Sequence, residues 1–219
     1  MANLRREKKP NHRGSLEDIP GVRPSKQDRS LAKRRELMAA ATRLLRTENF
    51  EQVTIGRIAA EAGCSVGAFY DRFADKDSLL TALQEDIFWR QIDQARQELS
   101  AELWQSEPDD AAIRAAILFV IRTFTGEAEG VLRAALIQSA SKPVLWDPAK
   151  RSGQELGRIV IELIAPRLKR DDAESAVLIG LQLLYGVLVN MILHDPGPLK
   201  LNSPKAQTRL VEAISAVFC

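Results

Sequence analysis

Residues 59–80 read AAEAGCSVGAFYDRFADKDSLL, and this stretch restricts the fold more than any other. Gly63 accepts the positive φ that stops a helix. Ser65 then caps a very short helix, VGAFYDRF, and Asp75 opens another soon after it. Thr54 caps the helix before them, IGRIAAEA, whose Ile55, Ile58, Ala59 and Ala62 share one side. A small residue at Ala59 lets two helices cross closely, and Ile58, Phe69 and Phe73 supply the contacts that lock them. Two short helices joined by a sharp glycine turn are the logic of a helix-turn-helix, whose second helix enters the DNA major groove.

The rest of the chain repeats the helical period. Leu37, Ala41, Leu44 and Leu45 place a first helix from about Asp28 to Glu48. The helix after Asp75 meets no Gly or Pro before Pro108. Leu83, Ile87, Phe88, Ile92, Ala95, Leu99 and Leu103 track one side of it as far as Trp104. Further helices are expected over 109–124, 127–140, 147–169, 171–194 and 203–218. Their boundaries are set by Gly126, Pro143, Pro148, Pro166, the HDPGP stretch from His194, and Ser203-Pro204. No strand-like alternation and no internal repeat occur. The expectation is an all-α chain of about nine helices. Scarce aromatics, 5% of residues, agree with it.

Charge divides the chain. Residues 1–35 hold eleven Lys/Arg against four Asp/Glu, and residues 81–219 hold fifteen against eighteen. A basic front on a mildly acidic body suits a polyanion-binding end, although a solvated tail has the same composition. Pro10, Gly14, Pro20, Gly21 and Pro24 make residues 1 to about 25 read as a disordered or weakly ordered arm. No apolar run near Met1 marks a signal peptide. Cys64 and Cys219 form no disulfide framework, which fits a reducing cytoplasm. Residues 176–193 carry no charge. A helix buried on two sides and a membrane span both fit that run, the first better. Neither a phosphate loop, nor H-E-x-x-H, nor G-x-S-x-G is present, and the two histidines are His12 and His194. No enzyme activity, metal or cofactor is expected.

IGRIAAEAGCSVGAFYDRFADKDSLL resembles the DNA-binding signature of the tetracycline-repressor (TetR) family of bacterial transcriptional regulators. The resemblance covers roughly residues 33–80. It rests on Thr54, Ile58-Ala59, Ala62-Gly63, Ser65, Gly67, Phe69-Tyr70, Phe73 and Lys76. Cys64 stands where the family usually has a valine-like residue, Asp71-Arg72 where Tyr-His is common, and Asn49-Phe50 where Gly-Phe is frequent. These departures leave the geometry intact but put the base preference in doubt. The resemblance implies a helix-turn-helix domain over 28–74, a helical ligand-binding and dimerisation domain over 75–219, and a basic arm over 1–27.

The tip Val66, Gly67 and Ala68 is expected at base edges, with Ala68 against a thymine methyl. Thr54 and Ser65 cap their helices and offer donors to phosphates. Tyr70 reaches a phosphate through its hydroxyl, whereas Phe69 is core. Lys76 opens a helix, where the dipole disfavours a cation, and is therefore assigned to a phosphate. Arg57 and Arg72 are backbone or base contacts, with simple solvation the alternative. Cys64 reads as a small buried residue, a redox switch being the alternative.

The resemblance also implies a homodimer, formed through 171–194 and 203–218, on a pseudo-palindromic double-stranded operator. It further implies an effector pocket among the middle helices. Candidate lining residues are Phe88, Trp89, Ile92, Trp104, Phe119, Phe124, Leu136 and Tyr185, with Arg122 and Gln138 as polar anchors. Ordinary core packing is the alternative for each. The reading is a cytoplasmic repressor released by a small, largely apolar effector. The alternatives are a regulator without an effector, an activator, and more remotely a membrane-anchored helical protein.

Overall fold

A computed structural model of the chain describes residues 16–24, 28–195, 197–198 and 200–218. The arm residues 1–15 and 25–27 and the thiol of Cys219 lie outside the described residues. Nine α-helices follow one another among the described residues. α1 (Asp28–Leu45), α2 (Ile55–Glu61) and α3 (Val66–Tyr70) form a head. α4 (Lys76–Glu98) leads into a body of α5 (Asp109–Thr123), α6 (Glu127–Ser139), α7 (Asp147–Ile164), α8 (Ala173–His194) and α9 (Pro204–Phe218). Short 3-10 turns lie at Leu16–Asp18, Pro143–Trp146 and Ala165–Arg167. No strand occurs among the described residues, so the architecture is all-α, as the periodicity requires.

Side-chain caps set the starts of α2, α3 and α4. The Thr54 hydroxyl accepts from the Arg57 N–H at 3.2 Å, and the Ser65 hydroxyl from the Ala68 N–H at 3.1 Å. Asp75 and Ser78 form a reciprocal box: the Ser78 N–H donates to Asp75 Oδ1 at 2.8 Å, and the Asp75 N–H to Ser78 Oγ at 3.2 Å. Pro166, which has no N–H to donate, sits in the 3-10 turn that closes α7.

Several helix ends fall short of expectation, α3 at Tyr70 and α7 at Ile164 among them, and the ends of α1 and α4 are held by side chains from beyond the helix. α1 stops at Leu45 rather than near Glu48. The Arg133 guanidinium of α6 donates to the carbonyls of Leu45 and Arg46, at 3.2 Å each. α4 stops at Glu98 rather than Trp104. The chain turns back there, and the indole N–H of Trp104 donates to the Glu98 carbonyl at 2.7 Å. A side chain on a continuing helix does not reach the carbonyl six residues before it.

One apolar cluster runs from head to body. Leu37, Leu45, Ile58, Phe69 and Phe73 fill the head and are almost wholly buried. α4 is central, packing on α1, α6 and α7. α6 meets α1 closely enough that a Cβ on Gly130 would stand 2.1 Å from the Leu45 carbonyl oxygen. α8 lies on α9, where Gly180 admits the ring of Phe218.

The segment Leu16–Pro24 corrects the expectation of a loose arm. Val22 is buried and bridges antiparallel to Phe73. The Arg23 N–H donates to the Arg72 carbonyl and the Ala74 N–H to the Gly21 carbonyl, both at 2.8 Å. Buried Val22, with Leu16 and Ile19 packed against the core beside it, and two main-chain bonds seat this short segment.

Candidate nucleic-acid interface

The turn between α2 and α3 is built as its glycine demands. Gly63 has φ of 60°, with nothing near a notional Cβ, so the positive φ itself is what calls for glycine. Its N–H donates to the Ala60 carbonyl at 3.1 Å, and the Cys64 N–H to the Ala59 carbonyl at 2.9 Å. Ile58 and Ala59 are buried under α3. Phe69 is fully buried between Tyr70 and Phe73, with ring centroids 5.6 and 5.5 Å away. With that side committed inward, α3 presents the opposite one. Ser65 and Gly67 are exposed, as are Val66 at 44% and Tyr70 at 45%, and Ala68 is half-buried. Two exposed apolar side chains on a five-residue helix are what a surface that meets a partner looks like. Cys64 is half-buried against the core.

The cations expected at DNA are differently employed. Arg57 makes a two-pronged pair with Glu48, with Nη2 to Oε1 at 2.8 Å. Each partner stabilises the other's charge: the hydrogen bond from Arg57 lowers the Glu48 carboxyl below its ordinary range and raises Arg57. Arg72 folds back. Its side chain is 13% exposed, Nη1 donates to the Ala68 carbonyl at 2.8 Å, and Asp71 lies at 3.6 Å. Arg72 therefore closes the C-terminal end of α3.

Lys76 is turned inward. Its Nζ donates to the carbonyls of Phe50 (2.7 Å) and Val53 (2.9 Å) and sits 4.5 Å from the centre of the Phe50 ring. Burial pushes its ammonium below the usual lysine range, against the pull of Asp77. The conflict with the helix dipole is resolved by internal carbonyls, which bind the loop before α2 to the start of α4.

α4 carries the head towards a groove of about 1470 Å³, open to solvent along one side. Phe88, Trp89, Ile92, Phe124 and Tyr185 line it together. Phe124 stacks on Tyr185 at 5.8 Å, and burial pushes the Tyr185 phenol up to about 12. The other expected residues lie elsewhere. Phe119 and Arg122 border a separate hollow of about 200 Å³, and Arg122 pairs with Glu98. Trp104, Leu136 and Gln138 line neither. Trp104 is occupied by the end of α4, and Leu136 and Gln138 pack in the body.

Sequence reasoning missed the groove's second wall: Leu156 and Ile161 of α7, Leu181 and Val189 of α8, and Ile19 and Pro20. The amphipathic period of α7 carried a signal for the first pair. Nothing local marked Ile19 or Pro20.

A capped two-helix unit with a tight turn and an exposed second helix, mounted on a helical body with a groove, defines a helix-turn-helix DNA-binding regulator. Residues 37–83 match the family described as bacterial regulatory proteins, tetR family. The HTH-type transcriptional regulator CymR of Pseudomonas putida is 24% identical over 176 residues, covering 78% of this chain and 84% of that one. Two solved structures share the fold. A Mesorhizobium loti protein described as a TetR-family transcriptional regulator superposes with a TM-score of 0.69 at 16% identity, over 87% of this chain and 97% of that one. A TetR transcription regulator from Haloarcula marismortui gives 0.66 at 19%, over 84% and 95%. Residues 37–83 are thus similar to the DNA-binding segment of the tetR family, and the chain as a whole shares the fold of TetR-family structures.

Proposed function

We propose that the chain is a homodimeric repressor, acting in the cytoplasm, that leaves a pseudo-palindromic operator when a small, largely apolar molecule occupies the groove. The observation that carries this reading is the course of α4. It starts under the reading head, where Lys76 ties it to Phe50 and Val53, and its later turns supply Phe88, Trp89 and Ile92 to the groove. A body that holds α4 in a different position also holds the head differently. A ligand that prefers that position draws the population away from the DNA-bound one. Inverting a 99:1 balance takes roughly 5.5 kcal/mol of differential affinity.

The dimer rests on α8. Ala173–His194 is long and apolar enough to cross a membrane, but its buried side packs on α7 and α9. Ile179, Leu183 and Val187 lie four residues apart on the exposed side, at 56%, 50% and 41%, with Leu178 beside them. A soluble monomer does not leave such a stripe in water, and a second copy of α8 and α9 covers it with identical chemistry. The two heads of such a dimer read half-sites about 34–36 Å apart.

The test is footprinting of the purified protein on its own upstream DNA, then on DNA selected from random sequence, across a salt series. Protection of a short pseudo-palindrome that fades steeply with salt, and is lost with Ala68→Glu plus Tyr70→Ala, supports the reading head. Failure on both DNA pools overturns it. Operator binding that no apolar compound weakens, with the groove shown to be filled, favours a regulator without an effector.

A further inference from the structure

The segment Leu16–Pro24 touches both functional regions and lies outside the residues that match the family model. Ile19 and Pro20 form part of the groove wall. The next residues grip the reading head. The Gly21 carbonyl accepts the Ala74 N–H, and the Arg23 N–H donates to the Arg72 carbonyl, both at 2.8 Å. Val22 is buried between them, opposite Phe73. Residues 72–74 lie in the link from α3 to α4. Buried Arg34 of α1 clasps the segment from the other side, donating to the Arg23 carbonyl at 2.7 Å and lying 3.5 Å from Glu17. Gly21, at φ of 83°, is pressed so closely on the first turn of α4 that a Cβ there would stand 2.8 Å from Ser78 Cβ.

We infer that Leu16–Pro24 is a strap that relays occupancy of the groove to the recognition helix, its Ile19 and Pro20 serving as ligand contacts and its main-chain pairing with Arg72–Ala74 holding α3 in the reading position. The inference rests on the groove being the effector site. A ligand at that end of the groove touches Ile19 and Pro20 and pushes them outward. The strap is held by one buried side chain and a few hydrogen bonds, so it yields before α4 does. Its departure strips partners from the Arg72 carbonyl and the Ala74 N–H. α3 is five residues long, too short to hold its shape without that packing. The coupling is reciprocal: operator binding seats the strap and weakens the ligand by the same factor.

The experiment uses the full chain, with anilinonaphthalene sulfonate as the probe of the groove. Quenching of Trp89 and Trp146, which both line the groove, reports its occupancy. Amide exchange of Arg23 and Ala74 reports the strap. In the wild type, a filled groove accelerates exchange at these two amides, while α1 and the middle of α4 stay protected. Gly21→Val releases the same amides without probe and weakens operator binding about tenfold, a usual size for such coupling. A filled groove that leaves both amides protected overturns the relay, even if that variant fails to fold. A released strap in Gly21→Val with operator affinity unchanged also overturns it. Absence of tryptophan quenching strikes the effector reading of the groove and takes the ligand-contact half with it. The Gly21→Val comparison then decides the hold on α3 alone.

Discussion

At the scale of single residues, the proposed reading surface consists of what the head does not bury. Phe69 of α3 and Phe73 just beyond it are fully enclosed, and Val66 and Tyr70 of α3 are left outside. Arg57 is held back by Glu48, so presenting it to a phosphate means exchanging one anion for another. Glu48→Gln removes that competitor. Operator affinity is expected to rise and its salt dependence to steepen by about one counterion, read from log affinity against log salt. The pair also sets a pH dependence. The Glu48 carboxyl is lowered on folding, so its contribution is complete above the unfolded value near ~4.3 and disappears as pH falls through the lower folded value. An acid titration followed by amide NMR is expected to show that low inflection, and Glu48→Gln is expected to abolish it. An unshifted carboxyl sinks the claim.

At the scale of elements, the junction of head and α4 depends on a cation that points inward. Lys76 binds two carbonyls and an aromatic face of the loop that precedes α2. Lys76→Met leaves those carbonyls unpartnered and is expected to cost about 1–3 kcal/mol in urea unfolding. The slope of operator affinity against salt is expected to stay as it was, because no phosphate contact is lost. A slope reduced by about one would return Lys76 to the DNA. The caps at Thr54, Ser65 and Asp75 were legible in the sequence, since each acts on a neighbour three residues away. The inward turn of Lys76 was not legible, because its partners are 26 and 23 residues earlier and are carbonyls, which every residue has.

At the scale of the whole molecule, head and body meet where Gly130 lies against the end of α1 and Arg133 caps it. Gly130→Ala puts a methyl against main chain that cannot rotate away. It is expected to cost about 1–3 kcal/mol and to shift operator affinity without touching the reading surface, measured by thermal unfolding beside footprinting. Leu183→Glu places a charge in the middle of the α8 stripe and is expected to give a folded monomer by light scattering. A dimer that survives it removes α8 from the interface.

The all-α class, the helix-turn-helix and the caps were determined by sequence alone, because helical period, glycine φ and capping hydroxyls act over one or two turns. Five of the ten expected groove residues also came together, carried by helices with the right apolar side. Tertiary structure decided the rest. It diverted Trp104 and Arg122 from the groove, ended α1 with an arginine from α6, and seated Leu16–Pro24 on both groove and head. Apart from the Trp104 bond to Glu98, those outcomes depend on contacts between residues tens of positions apart. Such contacts are fixed by how whole helices pack, and no local pattern in the chain encodes that packing.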